Sequence, residues 1–152
     1  MTRVLFYHSA PKDRLETARE LVCSMFARGK SVTVFAPDSR RAEWLDRVLW
    51  MQPQTSFVPH CAATDPLAAE TPVLFAADLA ALEAVPSPAR LFNLAEELSE
   101  EMLARFSRFP ALIEAITTDA DERGRGRARA KQYKDAGFSP LEYVDLSQGT
   151  GA

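Results

Sequence analysis

The sequence predicts an α/β fold: a single domain with a mostly parallel, twisted sheet and helices on both faces. Three observations lead there. Short apolar runs rich in β-formers alternate with segments whose apolar residues recur at helical spacing. Most connections are short and start or stop on capping residues, glycine or proline. The chain has 152 residues, enough for one core, and no internal repeat or domain boundary interrupts it. A strand that must return parallel to its neighbour needs a crossover, and a helix is the usual one.

Residues 3–7, RVLFY, read as a buried strand. Asp13 and Glu16 then have the spacing of a capping box. Leu15, Ala18, Val22 and Met25, flanked by Leu21 and Phe26, form the inward stripe of a helix that Gly29 ends. SVTVF, 31–35, is a second strand, and a helix follows over 39–51 with Ala42, Leu45, Val48 and Leu49 inward. Trp50 lies roughly 200° around the helix from Val48 and so falls off that stripe. Residues 52–72 read as a long irregular connection containing Pro53, Pro59 and Pro66, and connections of this length are commonly functional or disordered. VLFAA, 73–77, and RLFNL, 90–94, are further strands, separated by a short helical turn that prolines close. Residues 96–109 predict a helix, 111–116 a strand, 119–136 a last helix and 138–146 a final strand. One domain therefore spans 1–146, with 147–152 as a flexible tail.

Composition removes several function classes. Net charge is -3, which gives no global attraction to nucleic acid or membrane. No apolar run reaches membrane-spanning length, and the first residues lack the pattern of a secretory signal. Two unpatterned cysteines, Cys23 and Cys61, point to a reducing compartment, so the expected location is cytoplasmic. The first strand-to-helix turn, HSAPKD, has none of the glycines that bring a backbone up to a pyrophosphate. RGRGRA, 123–128, does not directly follow a strand. The expectation is a Rossmann-like sheet without a functional nucleotide site. His8, Cys23, His60 and Cys61 do not match zinc spacing, and no metal or other cofactor is expected. His8 has no identifiable partner nucleophile, and Glu96, Glu97, Glu100 and Glu101 suit the first turns of a helix, so no catalytic residue is assigned. Two other readings stay open: a small-molecule or nucleotide-binding enzyme on this fold, and direct binding of single-stranded DNA.

The uneven feature is the last helix. Between Arg123 and Lys134 there are six basic residues and no acidic one. Arg123, Arg127 and Lys131 recur every four residues, with Lys134 three further on, so these share one stripe, while Arg125 and Arg129 lie on another side. Such a stripe is as often a plain solvated face as a binding surface. As a binding surface it suits a phosphate backbone or an acidic peptide, the latter with Ile116, Tyr133 and Phe138 as possible borders of an apolar pocket.

Several segments together carry a family resemblance. They are Leu49, Trp50, Pro53 and Ser56 to His60 (SFVPH), then LFNLAEE and FSRF, then RARAKQYKDAGF at 127–138. In order and spacing the chain resembles the chi subunit of the bacterial DNA polymerase III holoenzyme. The resemblance implies a chi-like α/β domain and a non-catalytic accessory subunit of the clamp loader. It implies a monomer or heterodimer that bridges the psi subunit to the acidic C-terminal tail of single-stranded DNA-binding protein, a tail ending in Pro-Phe, and that meets DNA mostly indirectly. The implied psi-facing residues are Trp50 and Phe57. The implied tail-binding residues are Ile116, Arg123, Arg127, Lys131 and Gly137. Ala130 stands where some family members carry an aromatic, and CAATDPLAAE replaces a glycine-bearing run after His60.

Overall fold

A computed structural model describes residues 2–50 and 58–148. Among them the chain forms seven strands and five α-helices. In chain order these are β1 (Arg3–Ala10), α1 (Arg14–Ala27), β2 (Val32–Phe35), α2 (Ser39–Trp50), β3 (His60–Ala62), β4 (Val73–Ala76), α3 (Leu79–Glu83), β5 (Arg90–Asn93), α4 (Glu100–Phe106), β6 (Ala111–Thr117), α5 (Ala120–Asp135) and β7 (Leu141–Asp145). The strands make one sheet in the order β3-β4-β2-β5-β6-β1-β7, and every described pairing is parallel.

Right-handed crossovers fix the layers. The chain moves one way across the sheet from β1 through β2 to β3, so α1 and α2 lie on one face. It then returns toward β7, so α3, α4 and α5 lie on the other. The two apolar clusters follow this division. Leu21, Val22, Leu45 and Leu49 pack with Val34, Phe92 and Ile113 on the first face. Leu82, Phe106 and Tyr133 pack with Phe6, Leu91 and Leu112 on the second.

Local chemistry sets the ends of the elements. Asp13 caps α1 by accepting from the Glu16 amide at 2.8 Å, but the Glu16 carboxylate turns to Arg19, so half of the capping box forms. Asp78, Ser99 and Asp119 cap α3, α4 and α5 in the same way. Gly29 and Gly137 take left-handed φ values of 74° and 90°. Each closes a Schellman motif. At the first, the Lys30 amide donates to the Met25 carbonyl at 2.9 Å; at the second, Phe138 donates to Tyr133 at 3.0 Å.

Two expectations need correction. The connection over 52–72 is not wholly irregular: within its described part, His60–Ala62 adds an edge strand beside β4, and Ala68–Glu70 makes a 3-10 turn. The helix expected from residue 96 begins only at Glu100, because Ser99 is its N-cap and Glu96 and Glu97 belong to the preceding loop.

The two glycines inside α5 differ. A Cβ on Gly124 would meet open space, whereas one on Gly126 would come within 2.9 Å of two Ile116 side-chain atoms. Gly126 thus lets α5 approach β6 closely at Ile116. Gly124→Ala should gain up to about 1 kcal/mol from helix propensity. Gly126→Ala forfeits that gain to overpacking of roughly 1–3 kcal/mol. Urea denaturation of the two variants, with G126A clearly the less stable, checks this.

Candidate functional site

α5 is held by a buried polar cluster that the sequence reading did not identify. Glu114, on β6, is fully buried. Its carboxylate accepts from Arg129 Nε at 3.0 Å, Arg14 Nη2 at 3.3 Å, Asn93 Nδ2 at 2.7 Å and the Tyr133 hydroxyl. Arg14 also donates to the carbonyls of Asn93, Leu94 and Ala95, and Arg129 to that of Glu96. Burial lowers the Arg14 pKa, opposed by the Glu114 charge. Burial, reinforced by the same carboxylate, pushes the Tyr133 phenol well above its usual range. Arg129 is therefore a structural cation, and Tyr133 is fully enclosed core that cannot wall an open pocket.

With Gly126, Arg129 and Tyr133 turned inward, the helical repeat places the other cations. Arg123, Arg127, Lys131 and Lys134 are all exposed on one flank. Arg123, Arg127 and Lys134 form no ion pair with any described residue, while Lys131 meets Asp135 at 2.9 Å, with both side chains mostly exposed. Arg125 lies on the opposite flank and pairs with Glu96 at 3.3 Å. That opposite flank borders two shallow hollows toward α4. One, about 320 Å³, is lined by Glu96, Leu98, Arg125 and Gln132; the other, about 310 Å³, by Leu103, Ala136 and Phe138. The cationic flank faces the other way, toward β1 and β7. The apolar group on that side is Tyr143, 61% exposed and stacked on Phe6 at 5.3 Å between ring centroids.

The remaining residues singled out from the sequence fall as follows. Ile116 is buried under α5 against Gly126 and lines none of the hollows described here. Gly137 is exposed and turns the chain so that the Phe138 ring packs on Tyr133 at 5.5 Å. The structure thus brings Arg123, Arg127 and Lys131 together and sets Ile116 beneath them. Trp50 ends α2, 52% exposed, with its ring 4.7 Å from that of His60. Phe57 lies outside the described residues. His60 is buried, with Nδ1 2.6 Å from the Val58 carbonyl and Nε2 2.8 Å from Asp46. Cys23 is half-buried, and burial raises its pKa, the reverse of what a reactive thiol needs. No three potential metal ligands cluster among the described residues. No helix among them is long and apolar enough to cross a membrane.

Ligands of doubly wound sheets bind outside the carboxyl ends of the strands. Here that crevice is a cavity of about 330 Å³ lined by Asp13, Arg14, Leu15, Arg41, Trp44, Leu94, Glu96 and Glu122. Three carboxylates and a tied-down Arg14 make it a poor cradle for phosphates.

The family model for the DNA polymerase III chi subunit, HolC, matches residues 1–140. The chain belongs to the DNA polymerase III chi subunit family. It is also 29% identical over 133 residues to DNA polymerase III subunit chi of Escherichia coli (strain K12), covering 84% of this chain and 85% of that protein. This is a family of DNA replication subunits.

Glu114→Ala should cost about 3–5 kcal/mol, because two buried guanidinium groups lose their counter-charge. Denaturation midpoints measure it. Arg41, hydrogen-bonded to Glu96, holds the Glu96 carboxyl below its ordinary value of 4.5. A depressed carboxylate stabilises the fold above its unfolded pKa and stops doing so as pH falls through its folded pKa. Wild type should therefore exceed Glu96→Gln in stability at neutral pH. That difference should shrink below pH 4.5, as paired acid titrations of thermal unfolding would reveal.

Proposed function

We propose that this chi-family chain is a non-catalytic bridge within the DNA polymerase III assembly. One surface carries it on the clamp loader through psi, and another grips the acidic C-terminal tail of single-stranded DNA-binding protein. The observation that carries the second half is the cationic flank of α5. Arg123 and Arg127 face solvent with no acidic partner among the described residues, and Lys131 has one that is mostly exposed. The tail's carboxylates pair with these groups through charge-assisted hydrogen bonds. Its terminal phenylalanine packs against the exposed ring of Tyr143, and the alkyl stems of Arg127 and Lys131 cover the ring's other side. Ile116 and Gly137 serve the site by holding α5 rather than by touching the tail. Ile116 seats the first turns of the helix, and Gly137 fixes its end.

Trp50 is the anchor of the clamp-loader surface, together with Phe57. A half-exposed indole braced on a buried imidazole loses little freedom on docking. Weak binding of single tails suffices at a replication fork, because several tails on one coating protein raise the effective concentration. DNA is met indirectly, through the protein that coats it.

Titration of a labelled acidic peptide ending in Pro-Phe tests the reading. Arg127→Ala should weaken binding about tenfold, the size of one charge-assisted hydrogen bond. Added salt should weaken it further. Salt-independent binding, or bare oligonucleotide binding that outcompetes the peptide, would count against it. Trp50→Ala should separately cost about 2 kcal/mol in psi affinity and leave peptide binding unchanged.

A further inference from the structure

The face carrying α1 and α2 has only two helices for seven strands. β7 and the amino-terminal part of β1 are incompletely covered there, although Tyr7 and Ala10 join the apolar cluster of that face. Leu5 and Tyr7, which point to this face, are only half-buried, and Val144 is 36% exposed. Leu5 belongs to neither apolar cluster. At the amino ends of β5, β6 and β1 this partly covered area deepens into a groove of about 450 Å³. Its floor is Leu5, Tyr7 and Ile113, and Met25 at the end of α1 forms one wall.

The rim is cationic. Arg3, Arg28, Lys30 and Arg90 line the groove, and no acidic residue does. Arg3 pairs with Glu142 at 3.0 Å, and Arg90 donates to the Ser31 carbonyl at 3.1 Å. Arg28 and Lys30 are exposed and form no ion pair with any described residue. They flank the carbonyl end of α1, whose last turn has no basic residue of its own, and offset its partial negative charge.

We propose that this groove is a third docking surface, for an acidic polypeptide segment that carries an apolar side chain into the floor. Charge decides the occupant. A second copy of this chain, docked about a two-fold axis, would set the four cations against themselves. A nucleic-acid strand wants stacking platforms along its path and a broad basic field. Tyr7 is the single aromatic in the lining, and the chain as a whole is at -3. An acidic segment with a Leu or Phe matches both the rim and the floor.

The groove and the α5 flank lie on opposite faces of the sheet, so they can be tested separately. The probe is an acidic peptide alternating Asp/Glu with Leu/Phe, acetylated and amidated so that no free carboxyl terminus can engage α5. The protein is the full chain with Arg127→Ala and Lys131→Ala. In a 15N-correlation titration, shifts are expected at the amides of Leu5, Tyr7, Met25, Ala111 and Ile113. Adding Arg28→Glu and Lys30→Glu should weaken binding at least about tenfold. In an otherwise wild-type chain, that same pair should leave binding of the free-carboxylate Pro-Phe peptide unchanged. Shifts confined to α5, equal affinity in the charge-reversed variant, no binding, or preference for an oligothymidylate over the peptide would each overturn the proposal.

Discussion

The carboxylate of Glu114 is the interaction on which the rest of the structure depends. It sits in a strand buried on both faces, where an unpaired charge is strongly unfavourable. Its partners come from three places that are distant in sequence: Arg14 at the start of α1, Asn93 at the end of β5, and Arg129 with Tyr133 on α5. Because Arg129 and Tyr133 are one turn apart, binding both to a single side chain leaves α5 no freedom to roll. The close approach at Gly126 adds a steric stop. The display of Arg123, Arg127 and Lys131 toward β7 is the outward half of that constraint.

The second determinant is the uneven winding of the sheet. The chain makes two crossovers on one face and the remaining helices pack on the other, so α5 reaches over β1 while the opposite face of β1 is covered only in part. The same topology thus presents a cationic helix flank beside Tyr143 on one side and the apolar floor of Leu5 and Tyr7 on the other. Both are consequences of where β1 and β7 stand in the strand order, not of any special loop.

Most elements were legible from residues because local and global preferences agree. Asp13 caps α1 as its place before the apolar stripe indicates, and Gly29 ends that helix where the stripe stops; the caps Asp78, Ser99 and Asp119 were not picked out. β3 was not legible, since His60–Ala62 is too short for alternation to register and lies among prolines. Glu96 and Glu97 misled because acids before a helix and acids in its first turn look alike, and Ser99 is what separates them. For the candidate site, spacing grouped Arg123, Arg127 and Lys131 correctly. It could not tell the exposed Arg125 from the buried Arg129. The missed signal was Glu114 itself: an acid within ALIEAI, a run otherwise fit for a central parallel strand, must have partners. The exposure of Tyr143 needed the strand order, which no local pattern contains.

Arg14 has a consequence of its own. In many sheets of this kind the loops beyond the carboxyl ends are drawn together by a small molecule and part again when it leaves. Here a guanidinium belonging to the chain ties α1 to the backbone after β5. The strut at this place is part of the chain itself. The surfaces around it are positioned by the chain's own side chains, which suits a member of a family of replication subunits.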